Sequence, residues 1–236
     1  MVRVATQTEP STETRIPLSK ERVLQAAVGL ADRDGIESLT MRNLAREVGV
    51  EAMSLYYHVA NKEAILDGVV DVIVGEINAA VGLIDGPSPA DDWKSAMRLR
   101  ILAARDVMLA HPWAPDVIEQ RTNMSPAILL YFEGLLGIFR QGGFSNDLSH
   151  HAMHALGSKA LGFSQELFKP DNDDGGEAPS EMLEQFAAQL PYLAGMLMEI
   201  SHDDPDSTLG WCDDQAEFEF GLDLLLDGLD RLHPTV

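Results

Sequence analysis

The chain is poor in cysteine, in basic residues and in long apolar runs. Its 236 residues include a single cysteine, Cys212, so an internal disulfide is excluded and a thiolate zinc cluster would lack partners. That usage suits a reducing compartment. Lys and Arg number 17 against 38 Asp and Glu, a formal net charge of −21. Such an acidic excess keeps a protein soluble and repels anionic membranes and nucleic acid, unless the charge is unevenly spread along the chain. No apolar run approaches the roughly 18 residues of a membrane span, and Met1 to Glu13 are polar where a signal sequence carries an apolar core. A cytoplasmic protein that avoids membranes is expected. The period-2 alternation of half-buried strands is missing as well.

What is present points to a globular chain. Apolar residues make up 45% and charged residues 23%, near the average for soluble domains, and the length allows one large domain or two modest ones. The charge is indeed uneven. Residues 1–68 hold eight basic and ten acidic residues, a net of −2, which leaves −19 for residues 69–236. Two functional parts are expected from that asymmetry.

Residues 1–17, polar and without apolar periodicity, read as a flexible tail ending at Pro17. Ser19 then offers an N-cap, and Val23, Ala26, Ala27, Leu30 and Ala31 mark one helix face that Gly35 ends. Thr40 offers a second cap for a short helix with Leu44, Ala45 and Val48 on its apolar face, closed by Gly49. Glu51 to His58 is helical in character. Asn61 caps a fourth helix, in which Ile65, Leu66, Val69, Val70, Ile73 and Ile77 predict extensive burial. After a break at Gly86-Pro-Ser-Pro89, helical patterns resume over about 91–110, 126–141, 147–168, 181–200 and 213–232, with Pro170 to Ser180 as a loop. The fold class is all-α. The domains are expected as a tail (1–17), a three-helix helix-turn-helix module (18–64) and a larger helical domain (65–236).

Two short helices joined through Gly49 match the helix-turn-helix, whose glycine permits a left-handed turn. If Leu44, Ala45, Val48 and Leu55 pack inward, then Ala52, Met53, Tyr56 and Tyr57 lie on the outer face, which would enter a DNA major groove. Arg42, near the start of the second helix, is best equipped to read a base, because its guanidinium can bond O6 and N7 of guanine together. Ala52 and Met53 offer only apolar contact, to thymine methyls. Thr40, Ser54, Tyr56, Tyr57, His58 and Lys62 can reach phosphate oxygens, Lys62 with help from the helix N-terminus beside it. Adjacent tyrosines on a short helix cannot both be buried, which favours phosphate contact over a core role for the pair.

The stretch Leu39 to Asp67, LTMRNLAREVGVEAMSLYYHVANKEAILD, resembles the DNA-binding module of the tetracycline-repressor (TetR) family. The likeness rests on Leu39-Thr40, Ala45, Gly49-Val50, Leu55-Tyr56, His58 and Asn61-Lys62. It continues more loosely through Asp91 to Arg105, the Gly142-Gly143-Phe144 turn, Leu161-Gly162 to Glu166, and Phe218 to Leu222 with Gly228-Leu229. The resemblance implies a homodimeric all-helical repressor that binds double-stranded operator DNA and releases it when a small molecule enters the C-terminal domain. It adds Met41 to the DNA-facing set and supports a base-contacting role for Arg42. It also implies pairing through helices near 147–168 and 213–232, four of which would form a bundle. The last of these carries Phe218, Leu222, Leu225, Leu226 and Leu229 on one side.

The effector is unknown, and its pocket is expected between helices with a mostly apolar lining. Asn78, Trp93, Met97, His111, Trp113, Met153, Phe163 and Glu166 are the candidates, although a Met or aromatic stripe at helical spacing is more often core. His111 and Glu166 fall where the tetracycline repressor has a magnesium-linked histidine and a glutamate supplied by the partner subunit. Two departures count against carrying that site over: Pro-Trp-Ala-Pro-Asp follows His111 without the arginine of the pattern, and Trp93 replaces a drug-anchoring asparagine. His150 and His154 lie one turn apart but lack a third ligand. No cofactor and no metal is assigned. No set of nucleophile, base and orienting group is visible, so an enzyme using the C-terminal pocket is the weaker alternative, beside a regulator controlled by a protein partner.

Overall fold

The computed structural model describes residues 17–121, 124–161, 189–192, 195 and 214–233. Among these residues the fold is all-helical: α1 (Lys20–Asp34), a 3-10 turn (Ile36–Ser38), α2 (Met41–Val48), α3 (Ala52–Leu55), α4 (Lys62–Gly82), α5 (Pro89–Ala110), α6 (Ala114–Gln120), α7 (Pro126–Gln141), α8 (Asn146–Leu161) and α9 (Asp214–Leu232). No helix among them is long and apolar enough to cross a membrane. They form two compact units, one holding the described residues up to Ala79 with Val107–Leu129, the other Ala80–Asp106 with the described residues from Leu130 onward. A division at residue 64 follows the helix-turn-helix motif alone, whereas packing also draws most of α4 and the α6 segment into the first unit.

In the first unit the three expected N-caps are made. Ser19 Oγ accepts from Arg22 N at 3.1 Å, Thr40 Oγ1 from Asn43 N at 3.2 Å, and Asn61 Oδ1 from Ala64 N at 2.8 Å. Each satisfies an amide that the first helical turn leaves without a partner. α1 buries Val23, Leu24, Ala27, Val28, Leu30 and Ala31, and the same unit buries Leu44, Ala45 and Val48 of α2, Leu55 of α3, and Ile65, Val69, Val70 and Ile73 of α4. Burying such a side chain contributes about 1.5–3 kcal/mol. Gly68 permits the close approach of α4 to α1, because a Cβ there would sit 2.4 Å from Leu24 Cδ2.

Two expectations need correcting. The helix expected over Glu51 to His58 is regular only from Ala52 to Leu55 and finishes in a turn, with the His58 and Val59 amides both on the Leu55 carbonyl at 2.8 and 2.9 Å. A further helix, α6, lies between 110 and 126, where Pro112 and Pro115 suggest a break. Pro115 stands in its first turn, a place that demands no amide hydrogen. Most of the helix expected over 181–200, the 170–180 loop, Phe163, Glu166 and Cys212 lie outside the described residues.

In the second unit Trp93, Met97 and Ile101 of α5 pack with Ile138 and Phe139 of α7, Phe144, Ala152 and Leu156 of α8, and Phe218, Leu222, Leu226 and Leu229 of α9. Phe144 enters this core from a turn in which Gly143 adopts φ 90°, and its ring meets Trp93 edge-on at 4.6 Å. Along one side, α5 and α9 are bound by charge. Lys94 pairs with Asp227 at 2.6 Å, and Arg98 pairs with Glu219 at 2.6 Å and Asp223 at 2.7 Å.

Candidate nucleic-acid interface

The turn between α2 and α3 is made by Gly49, with φ 72° and ψ 37°. Its amide and that of Val50 return to the Arg46 and Ala45 carbonyls at 3.2 and 2.9 Å, a left-handed close that a β-carbon would strain. α2 is fixed from both sides. Arg33 of α1 grips Glu47 with two hydrogen bonds of 3.2 and 2.9 Å, and Asn43 Nδ2 donates to the Ser38 carbonyl at 2.8 Å. These supports hold the motif rigidly, and neither is signalled by local periodicity.

What the supports present to solvent is unusual for a protein surface. Leu55 is fully buried, while Met53 is 73% and Tyr57 89% exposed, and Tyr56 is exposed beside them. Ala52, Ser54, His58 and Met41 are half-buried, and Thr40, Arg42 and Lys62 are exposed. Neither Arg42 nor Lys62 has a side-chain hydrogen bond or ion pair among the described residues, whereas Arg33, Arg98 and Arg121 are committed to carboxylates. The ten residues expected to face DNA thus lie at the start of α2, on α3 and the turn that follows it, and at the start of α4. The apolar patch and the unpaired cations await a partner that offers both apolar groups and negative charge.

The helix-turn-helix falls within one of two stretches that known families match. Residues 23–69 match the bacterial regulatory proteins of the tetR family, and residues 86–232 match the tetracyclin repressor-like C-terminal domain. The chain belongs to the TetR family. It is a DNA-binding transcriptional regulator, and the family is one of regulators rather than enzymes. An HTH-type transcriptional regulator of Saccharopolyspora erythraea is 31% identical over 94% of this chain and 88% of its own length. The crystal structure of a possible TetR family transcriptional regulator from Streptomyces coelicolor A3(2) is 30% identical, covers 91% of this chain and all of its own, and superposes with a TM-score of 0.69. ActR of Streptomyces coelicolor, solved in complex with actinorhodin, is 23% identical, covers 93% of this chain and all of its own, and has a TM-score of 0.68; it shares the fold.

In this TetR-family chain, the residues expected around an effector are divided between the two units. Trp93 and Met97 are buried together in the second unit, with Met153 packed on that cluster, and the Trp93 indole donates to Asp230 at 3.2 Å. Asn78, His111 and Trp113 belong to the first unit. Asn78 Nδ2 donates to the Ala127 carbonyl at 3.1 Å. His111 is buried between two carboxylates, its Nδ1 2.8 Å from Asp32 and its Nε2 3.2 Å from Glu76, and Trp113 Nε1 donates to the same Asp32 oxygen at 2.7 Å. Both ring nitrogens are therefore occupied. No group of three His, Cys, Asp or Glu among the described residues is arranged to hold a metal ion, and His111 as placed is committed to Asp32 and Glu76. It pins the turn before α6 to α1 and α4.

Proposed function

We propose that the protein is a homodimeric repressor, acting in the cytoplasm without catalysis, that binds a near-palindromic operator through α2 and α3 and leaves it when a small molecule binds the second unit. The observation that carries the DNA reading is the outer face of the helix-turn-helix: Met53, Tyr56 and Tyr57 are exposed together, and the same module carries exposed Arg42 and Lys62, unpaired among the described residues. Arg42 reads a guanine, Ala52 and Met53 meet thymine methyls, Met41 faces the DNA beside Arg42, and Thr40, Ser54, Tyr56, Tyr57, His58 and Lys62 set the register on the backbone.

Pairing through α8 (the expected 147–168 helix) and α9 (213–232) is supported by Phe220 and Leu224. They stand one turn apart and exposed on α9, on the side away from the buried Phe218, Leu222 and Leu226. A two-fold pair would bring two recognition helices to half-sites about one DNA turn apart or slightly more. The effector reading draws support from the tetracyclin repressor-like C-terminal match and from the ActR complex. Its apolar wall is proposed around Trp93, Met97 and Met153. An effector that favours the DNA-incompetent state shifts the population, and DNA weakens the effector by the same factor.

The test is a mobility-shift and footprinting assay on the DNA flanking the coding region. The expected result is a protected, nearly two-fold symmetric site. Arg42→Ala should bind it more weakly by about 1–3 kcal/mol and lose discrimination at one base pair of each half-site. Equal binding and equal specificity of the two proteins would defeat the base-reading assignment.

A further inference from the structure

In a chain with 38 acidic residues, a cationic side chain readily finds a counter-charge, and on α5 Lys94 and Arg98 do. Arg100, two residues beyond, does not. It turns to α7, where its Nη2 donates to the Tyr131 carbonyl at 3.2 Å and its guanidinium carbon lies 5.0 Å from the centre of the Tyr131 ring. Its Nε is buried and has no hydrogen-bond partner, and no carboxylate pairs with it among the described residues. Gly134 makes the seat, since a β-carbon there would lie 2.2 Å from Nη2 and 2.8 Å from Nη1.

A charged donor removed from water without a partner is costly, and such a cost persists where an outside group supplies the missing partner. Burial pushes the guanidinium below the ordinary arginine value, yet arginine cannot shed its proton to escape the cost. The remaining donors lie in one plane, and a planar carboxylate meets such a plane with two parallel hydrogen bonds.

We infer that Arg100, seated on Gly134 and Tyr131 between α5 and α7, anchors an anionic group of the small-molecule effector, a carboxylate fitting its unused donors best. This rests on the effector reading above, and it adds the chemical class of the ligand.

The experiment uses the full-length protein, with benzoate and its neutral isostere benzamide as probes. Thermal unfolding and calorimetry should show wild type binding benzoate about tenfold more tightly than benzamide, the advantage of a charge-assisted pair. Arg100→Met should lose that preference while unfolding, without probe, at the wild-type temperature or above it, because the variant no longer buries an uncompensated cation. Gly134→Ala, which crowds the guanidinium but keeps it, should reduce the preference. The inference is overturned if wild type does not distinguish the probes, if Arg100→Met distinguishes them equally, or if Arg100→Met unfolds several degrees lower without probe, the mark of a purely structural arginine. If benzoate binds through Arg100 but leaves an operator complex intact, the anion site stands and the effector reading fails.

Discussion

Arg42 and Lys62 of the first unit are both exposed cations without partners among the described residues, yet their chemistry gives them different work. A guanidinium offers donors in a fixed plane and can specify a base, while an ammonium at a helix N-terminus is a point charge suited to a phosphate. Lys62→Ala should therefore weaken binding to operator and to unrelated DNA alike, and lower the slope of log affinity against log salt by about one. Titrations at several salt concentrations read this directly, and an unchanged slope would remove Lys62 from the interface. At this scale the sequence was legible wherever the cause is local. Ser19, Thr40, Asn61 and Gly49 each act on an amide or turn within a few residues, and each was readable. His111 was not, because its partner Asp32 is 79 residues away. Arg100 was hidden for the same kind of reason, since an unpaired donor becomes visible only once every neighbour is placed.

Between elements, the first unit is held by one close approach and a set of charged clamps. Arg121, which follows α6, pairs with Glu63 and Asp67 in the first two turns of α4 at 2.7 and 2.8 Å. His111 and Trp113, ahead of α6, hold Asp32 near the end of α1. The helix faces of α1, α2 and α4 follow from their apolar spacing, but α6 and its clamps do not, because two prolines mask a helix only seven residues long. The close approach itself is Gly68 on Leu24. Gly68→Ala would ordinarily favour a helix, by roughly 0.5–1 kcal/mol, but here the new methyl overlaps the Leu24 side chain, and overpacking of that kind costs about 1–3 kcal/mol. The clash should win, giving a net loss of stability in denaturant titration. Leu24→Ala should cost less in the Gly68→Ala background than in the wild type, because the methyl then has room, and a stabilised Gly68→Ala would show that α1 yields to α4 without strain.

Over the whole molecule the −21 charge first argues against DNA binding, and its distribution resolves the conflict. The helix-turn-helix segment is nearly neutral, so affinity must come from a few placed contacts, and weak non-specific binding is expected. The same surplus bears on stability, where two effects oppose each other as pH falls. Approaching the isoelectric point of about 4.5, self-repulsion relaxes and the folded state gains. The α5–α9 clamp responds in the opposite direction: Glu219 is held below the ordinary carboxylate value by Gln215 and Arg98, and Asp227 by Lys94. A carboxylate depressed by folding stabilises fully above its unfolded value, near 4, and loses that contribution as pH drops through its folded one. Loss of the clamp therefore opposes the relief of repulsion only below about pH 4. The unfolding temperature should rise modestly from pH 7 to about pH 5 and fall steeply below pH 4, with Glu219→Gln and Asp227→Asn together flattening the acid limb. At pH 7, added salt should raise the unfolding temperature, because screening relieves the many repulsions more than it weakens the three pairs of this clamp. A decrease with salt would mean that the clamps, rather than the surplus charge, dominate the electrostatics of the fold.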